Sequence, residues 1–486
     1  MALVRRARGT RFGQEHGFLG IADVEAFQQR VPLRRYEAFW REYWSTSFPR
    51  VVDATWPGLI PFFALTSGTT TGDNKHIPVS HAMIGANRRA ALDVLCHHVH
   101  RRPDSAVLSG RNFVLGGSTA LRELAPGVRA GDLSGIAAVT VPLWARPYTF
   151  PPPALALMPD WEEKVARLAP ASLTADIRSI SGTPSWLLPL FDRLAALRPG
   201  GGELADVYPK LELLIHGGVN FAPYRRRFEK LLAGSKAETR EVYPASEGFI
   251  AIADRGDGEG LRLILDNGLF FEFVPVPEID RTGPTRHWIA TVEPGVEYAL
   301  IVSSCAGLWA YVLGDTVRLV EQTPPRLLVT GRLGHSLSAF GEHLIGDEID
   351  AAVAAAAMAI EGDVVDYSVG PLFPERPGEL GRHLFIVEFA EPITEATRLR
   401  QFVAVLDETL ARRNADYRDH RARDFSMAAP LLDAVPRGTF TAWMRRRGQL
   451  GGQHKVPRVI AEPELWHDLR RFASAAQMPA SPQQGC

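Results

Sequence analysis

Ten residues, Thr66-Ser67-Gly68-Thr69-Thr70-Thr71-Gly72-Asp73-Asn74-Lys75, crowd hydroxyls, two glycines and a lysine behind the apolar run 59–65. Small hydroxyl side chains and unhindered backbone N–H groups can converge on one anion, and the lysine adds positive charge at its rim. That chemistry suits the phosphates of a nucleotide. The spacing is not that of a Walker A loop, in which glycine and lysine are adjacent; here Asp73 and Asn74 separate Gly72 from Lys75. Taken alone, the segment reads first as a polar strand-to-helix turn. Lysine usage argues for more: only six of the 54 Lys and Arg residues are lysines, at 75, 164, 210, 230, 236 and 455. A lysine kept inside such a loop points to a need for a compact ammonium rather than a planar fork. The same reasoning singles out Lys455, in Gly451-Gly452-Gln453-His454-Lys455-Val456-Pro457-Arg458.

Three further clusters carry chemistry. Tyr243-Pro244-Ala245-Ser246-Glu247 sets an aromatic, a hydroxyl and a carboxylate on one tight turn, able to stack a base, touch a phosphate and hold a metal ion. Gly314-Asp315, expected at a strand end, offers a carboxylate to a vicinal diol such as a ribose. Gly331-Arg332 supplies a bidentate cation. Each is weak alone, since Ser-Glu is usually a helix cap and Gly-Asp a turn.

The elements that must position these groups follow from patterning. Residues 21–46 read as helix with aromatic anchors. From 59, apolar strands alternate with glycine turns and amphipathic helices: Phe113-Val114-Leu115 ends in Gly116-Gly117-Ser118, and the strand 211–215 ends in His216-Gly217-Gly218 before a basic helix over 224–232. Such alternation predicts α/β layering with a site at the strand ends. Residues 261–330 read as short antiparallel strands or a small barrel. The glycine-rich stretch 331–346 reads as a hinge, followed by a helix over 347–360, a strand near 384–389, a helix over 394–413 and a basic, loop-rich tail. The fold class expected is α/β and α+β, with a large N-terminal domain over 1–334 and a small mobile α+β domain over 335–486.

Composition narrows the class. With 486 residues, 46% hydrophobic and 22% charged, the chain fits a multidomain globular protein. A net charge of −1 offers no electrostatic case for nucleic acid or an anionic membrane. Three scattered cysteines argue against a disulfide framework. The basic N-terminus lacks an apolar h-region, and no apolar run is long enough to span a bilayer. A cytoplasmic monomer acting on small molecules is expected.

The order of the clusters resembles the adenylate-forming superfamily of acyl-CoA synthetases and luciferases. Within it the chain is similar to the auxin-responsive Gretchen Hagen family of acyl acid–amido synthetases. The resemblance runs through Val31-Pro32-Leu33-Arg34-Arg35-Tyr36-Glu37, the loop 66–75, Ser181-Gly182-Thr183-Pro184-Ser185-Trp186, Tyr243 to Gly248, Phe271 to Val276, Gly307 to Asp315, Asn414-Ala415-Asp416-Tyr417-Arg418, and Gln453 to Arg458. It implies an ATP-dependent, AMP-forming carboxylate–amine ligase using Mg²⁺. Residue by residue, it implies Thr66, Ser67, Gly68, Thr69 and Thr70 with Lys75 at the phosphates, Gly217 and Gly218 near the base or acyl phosphate, and Tyr243 against adenine. Ser246 would meet the α-phosphate, Glu247 the metal, and Asp315 the ribose. Lys455 and Arg332 would act from the mobile domain, and Gly117, Ser118, Ser134 and Gly135 would meet the acid. Where the family carries arginines in a Tyr-Arg-Tyr-Arg-x-Gly-Asp pattern, this chain has Ala310 and Val312, and Trp309 stands for a tyrosine.

Other readings stand beside this one. An acid–thiol ligase, or a catalytically silent ligand-binding relative, would use the same scaffold. Cys96-His97-His98-Val99-His100 could suggest a metal, but no second ligand cluster answers it and a structural helix is expected. Cys305 reads as a small strand residue, and Arg445-Arg446-Arg447 as a solvated basic turn.

Overall fold

The computed structural model describes residues 1–66, 75–116, 120–158, 160–197, 203–218, 221–222, 224–256, 258–333, 337, 339–340, 342, 344–373, 380–414, 417–418, 421, 427–449, 455–460 and 462–477. They fall into two compact units. The first comprises Met1–Val219, Leu232–Val329 and Gly451–Gln453; the second comprises Asn220–Leu231, Thr330–Leu450 and His454–Cys486.

The first unit starts with short helices that bury aromatic faces. Thr10 and Asp23 cap two of them, accepting hydrogen bonds from the N–H groups of Gly13 at 3.1 Å and Ala26 at 2.8 Å. Phe12, Phe18, Phe27 and Phe39 thereby pack around Tyr43, Trp44 and Trp309, with Phe12 stacked on Trp309 at 6.1 Å and Phe39 on Trp44 at 5.2 Å. A four-stranded sheet follows, ordered Lys75–Val79, Phe62–Thr66, Val128–Gly131, Arg122–Ala125. Phe62–Thr66 runs antiparallel to Lys75–Val79, with Thr66 opposite Lys75, and parallel to Val128–Gly131, with Ala64 opposite Gly131. The loop between Thr66 and Lys75 therefore links two paired strands; the helix His81–Arg101 begins only after Lys75–Val79, capped by Ser80.

A second sheet of twelve described strands carries the rest of this unit's framework. Its parallel half comprises Thr149–Phe150, Arg111–Val114, Ile177–Gly182, Leu213–Gly217 and Glu238–Ala245. Parallel neighbours require crossover connections, which helices such as Pro184–Ala196 supply; Pro184 at its first turn suits a position with no N–H to satisfy. From Gly248 onward the sheet is antiparallel through Gly248–Ile252, Leu261–Leu263, Pro325–Arg332, Tyr311–Gln322, Glu297–Ser304, Leu269–Pro275 and His287–Trp288. Residues 261–330 thus form the antiparallel strands expected, and these extend the large sheet.

In the second unit Val364–Leu372, Arg382–Phe389 and Leu431–Val435 form a sheet with helices on both faces. Side chains of Arg382–Phe389 alternate accordingly: Phe385, Val387 and Phe389 join a core with the helices Gly346–Ala359 and Ala396–Arg413. Leu384 and Ile386 join another with Thr439–Arg446 and Pro463–Gln477. The tail expected to be loop-rich therefore supplies a strand and two amphipathic helices, because Phe440, Trp443, Trp466 and Leu469 have a sheet face to bury against. No helix among the described residues is long and apolar enough to cross a membrane.

Candidate functional site

In the first unit Tyr243, Ser246, Glu247 and Asp315 lie on Glu238–Ala245, on the turn into Gly248–Ile252 and on Tyr311–Gln322. Glu238–Ala245 pairs with Gly248–Ile252, Ala245 opposite Gly248, so Ser246 and Glu247 form a two-residue hairpin turn. The turn needs backbone room at Gly248, where φ is +152° and an added Cβ would come within 2.8 Å of Leu269. It leaves Ser246 half-buried and Glu247 only 9% exposed. Asp315 does not end its strand. The ladder between Glu297–Ser304 and Tyr311–Gln322 slips between Thr316, opposite Ala299, and Val312, opposite Ile301, and Gly314 there has φ +98°. The extra residues form a bulge, the usual device for re-aiming a side chain within a ladder. Re-aimed, Asp315 accepts a hydrogen bond from the Tyr243 hydroxyl through Oδ2. The residues expected at adenine and at ribose are thus tied to each other.

Lys75 opens its strand with Nζ 3.6 Å from Glu37 Oε1 and 5.4 Å from the centre of the Tyr36 ring. The Tyr36 hydroxyl accepts the His76 N–H at 2.9 Å, and burial pushes its ionisation up to about 12. The segment holding Tyr36 and Glu37 is itself fixed: Arg34 donates its N–H to Ala310 O at 3.0 Å and accepts that of Val312 at 2.9 Å. Between them Tyr311 is fully enclosed, and its phenol is held far above its ordinary range by burial and by the carboxylates of Glu247, its hydrogen-bond acceptor, and Glu37. Glu37 therefore acts on both Lys75 and Tyr311, and Tyr311 on Glu247. Tyr36, Glu37 and Tyr311 were not singled out from sequence for a role, although they lie inside stretches that carry the resemblance.

The positions where this chain departs from the family pattern are packed. Trp309 and Ala310 have no exposure and Val312 is buried. Trp309 donates from Nε1 to Thr55 O at 2.9 Å, and Ala310 takes φ +45° where it bridges to Arg34. Gly217 ends Leu213–Gly217 opposite Val242, and an added Cβ would lie 2.2 Å from the Val242 carbonyl oxygen. Its close approach is thus to the neighbouring strand, while Gly218 turns the chain with φ +82°. Ser134 and Gly135 begin the helix Leu133–Val139. Ser67, Gly68, Thr69, Thr70, Gly117 and Ser118 lie outside the described residues.

In the second unit Lys455 is exposed and opens an extended strap that adds to the edge of Val364–Leu372. Val369 donates to Arg458 O at 2.8 Å, Ile460 to Val369 O at 2.9 Å, and Ser368 Oγ to Pro457 O at 2.7 Å. The Arg458 guanidinium locks the strap from beneath: it donates to Asp366, to the Tyr224 hydroxyl and to Tyr367 O, and lies 4.4 Å from the Tyr367 ring centre. Burial raises the ionisation of Asp366 and of both phenols, with Asp350 adding to the effect on Tyr367. Tyr224 precedes Arg225–Leu231, a helix further held by Lys230 to Asp363 at 2.6 Å. Arg332 ends Pro325–Arg332 and is exposed.

The competing motifs take structural places. Cys96 to His100 lie in the helix His81–Arg101, where buried His98 meets Glu238 at 2.7 Å and Ser105 at 2.9 Å. Burial pushes the Cys305 thiol up to about 11. Arg446 pairs with Asp468 at 2.6 Å, and Arg447 lies over Trp443. Among the described residues no group of three or more His, Cys, Asp or Glu could cage a metal ion. Glu247, a single buried carboxylate on a turn, fits Mg²⁺ held mainly through phosphate oxygens and water rather than by an all-protein cage.

Comparison with known proteins bears on this arrangement. The chain matches models of the GH3 family N-terminal domain over residues 1–110, the GH3 family central domain over 262–332 and the GH3 family C-terminal domain over 347–464. It is 28% identical over 301 residues to the indole-3-acetic acid-amido synthetase GH3.8 of Oryza sativa subsp. indica, covering 58% of this chain and 49% of that protein. It is 26% identical over 314 residues to the jasmonoyl–L-amino acid synthetase JAR4 of Nicotiana attenuata, covering 61% and 52%. The chain spans about half the length of the curated relatives it matches. In fold it is similar to a solved GH3.15 acyl acid amido synthetase, with a TM-score of 0.76 at 17% identity over 98% of this chain and 92% of that one. It is also similar to a 2-hydroxyisobutyryl-CoA ligase, with a TM-score of 0.61 at 15% identity over 98% and 92%.

Proposed function

The chain belongs to the GH3 family, and we propose that it is an ATP-dependent, AMP-forming ligase that activates a carboxylic acid as its acyl adenylate and passes the acyl group to an amine or amino acid. The observation that carries the reading is the linkage in one unit of Lys75 to Glu37 and Tyr36, of Tyr311 to Glu247, and of Tyr243 to Asp315. A cation, a buried carboxylate on a turn, and an aromatic joined to a diol-binding carboxylate are what a nucleoside triphosphate demands.

A carboxylate is a poor electrophile, so it is activated before an amine attacks. Its oxygen attacks the α-phosphorus of ATP, pyrophosphate leaves, and charge grows on the leaving oxygens; catalysis is mainly positioning and charge stabilisation. Lys75, braced by Glu37, and the loop from Thr66 through Ser67, Gly68, Thr69 and Thr70 hold the β- and γ-phosphates. Tyr243 packs on adenine while its hydroxyl orients Asp315 toward the ribose. Ser246 reaches the α-phosphate, and Gly218, beside Gly217, leaves the backbone open to the base or acyl phosphate. Mg²⁺, when bound at Glu247, supplies charge neutralisation at the phosphate oxygens. Tyr311, kept protonated, donates to Glu247 and fixes the carboxylate's direction. In the second half-reaction the amine attacks the acyl carbonyl and AMP leaves. The small domain over 335–486 delivers Lys455 to the nucleotide by rotating about the hinge, with Arg332 at the pivot. Gly117, Ser118, Ser134 and Gly135 face the acid. The protein acts as a cytoplasmic monomer on small molecules.

Pyrophosphate release screened over carboxylic acids, with each amino acid or CoA as acceptor, tests the reading. Acid-dependent release with an amide product supports it. A thioester formed only with CoA transfers the assignment to an acid–thiol ligase, whose fold is represented among the similar structures. No release with any acid, in protein that still binds ATP, refutes ligase activity in favour of a ligand-binding role.

A further inference from the structure

Asp132 and Lys164 form a buried, oppositely charged pair that the mechanism above does not use. Asp132 is 8% exposed and Lys164 1%. Asp132 directly follows Val128–Gly131, the strand parallel to Phe62–Thr66, so it sits at the carboxyl end where the chain enters the phosphate loop. It also precedes Leu133–Val139, which carries Ser134 and Gly135, yet makes no capping hydrogen bond to that helix. Lys164 reaches from Trp161–Ser172 to donate to Gly116 O at 3.1 Å. Each charge acts on the other, and burial presses both toward neutrality, Asp132 to about 7 and Lys164 to about 8. Asp132 therefore directly precedes the segment Ser134-Gly135 assigned to the acid substrate, and Lys164 meets the chain just past Arg111–Val114, both at strand ends where α/β folds bind ligands.

One atom is left over. Asp132 Oδ2 is buried with no hydrogen-bond partner. Buried polar atoms are nearly always satisfied, and an exception calls for an explanation, a missing ligand group being one. Resting on the ligase reading, we infer that the acid this chain activates carries a neutral hydrogen-bond donor, a hydroxyl or an amine, remote from its reacting carboxylate, and that Asp132 Oδ2 accepts from it. The polarity follows from the pair. In its ionised form, which the Lys164 charge favours, Asp132 offers only acceptors, so a second carboxylate on the substrate would meet repulsion. Lys164 offsets the charge of Asp132, so a neutral donor suffices and a full cation is not demanded. A site built to bond a hydroxyl or N–H rejects the analogue lacking it far more strongly than an apolar pocket rejects an added group.

Matched acids test this: benzoate against 4-hydroxy- and 4-aminobenzoate, phenylacetate against 4-hydroxyphenylacetate, and hexanoate against 6-hydroxyhexanoate. Each is read by pyrophosphate release with ATP and, independently of turnover, by the rise in melting temperature of the full chain. The donor-bearing member of at least one pair is expected to be preferred about 100-fold or more in kcat/KM. Asp132→Leu should erase or reverse that preference. Asp132→Asn, which keeps an acceptor oxygen and the shape, should retain part of it and guards against a folding defect in the leucine variant. Equal use of both members of every pair, or a preference unchanged in both variants, overturns the inference while leaving ligase activity intact. If no acid releases pyrophosphate, the ligase reading fails. The melting shifts still decide the binding claim: a donor-dependent rise lost in Asp132→Leu supports it, and no such rise overturns it.

Discussion

Tyr243→Phe removes one hydroxyl and keeps the ring. If the ring packs on adenine and the hydroxyl orients Asp315, the variant should lose only the second function. A hydrogen bond to a charged group contributes about 1.5–3 kcal/mol, and the half-exposed Asp315 recovers part of that from water, leaving about 1–2 kcal/mol. At about 1.4 kcal/mol per tenfold, the apparent ATP KM should rise roughly 5- to 30-fold. Turnover at saturating ATP should change little, because the contact serves ribose binding rather than the reacting phosphorus. The assay is ATP–pyrophosphate exchange with a fixed acid, in a cycle with Asp315→Ala. Because the phenol acts through the carboxylate, the double variant should be no worse than Asp315→Ala, a coupling about as large as the single effect. Additive losses, or an unchanged KM in Tyr243→Phe, would refute the argument that the bulge and the phenol together aim Asp315.

Other outcomes follow from the same structure. Lys455→Ala, which loses a charge-assisted contact of about 1.5–3 kcal/mol, should slow ATP–pyrophosphate exchange by about one to two orders of magnitude. Arg458→Met should strand Asp366 in a buried setting and cost about 3–5 kcal/mol in denaturant unfolding of the full chain, with lowered exchange activity as the Lys455 strap loosens. Stability should also depend on pH through Asp132, whose folded carboxyl titrates near 7, above its unfolded range. The folded state then binds the proton more tightly, so this contribution is full below about pH 4 and is lost as pH rises toward 7. Unfolding measured across that window should show a falling limb that Asp132→Asn flattens; identical slopes for the two proteins would remove the buried-carboxylate argument.

How much was legible beforehand can be judged at particular residues. Thr66, Lys75, Ser246-Glu247, Gly314-Asp315 and Lys455 stand out by type and spacing, because hydroxyls, glycines and isolated lysines in turns have few structural uses in common. The strand at 382–389 and the helices at 346–359 and 396–413 were readable from apolar periodicity, as was the antiparallel character of 261–330. The tail beyond 413 was not, since short amphipathic segments such as Thr439–Arg446 become helices only against a sheet face supplied from elsewhere. Nor was the loop after Thr66 recognisable as a strand-to-strand connection, because hairpin pairing is set by hydrogen bonds to Lys75–Val79 that residue types do not announce.

The amino-acid order alone settled which chemical groups are available: a hydroxyl- and glycine-rich loop, two selected lysines, two carboxylates each next to a glycine, and the near-neutral, cysteine-poor composition around them. Those facts are local, carried by neighbouring residues. Tertiary structure decided which groups act on which. It set Glu37 beside Lys75 across 38 residues of chain, tied Tyr243 to Asp315 across 72, and pinned the Lys455 strap through Arg458 to Asp366 and Tyr224. It also enclosed Asp132 with one oxygen unsatisfied. Such pairings depend on strand register, bulges and burial. A one-residue change in register turns a side chain to the opposite face, so contact between distant residues is a property of the packed sheet rather than of the residues themselves.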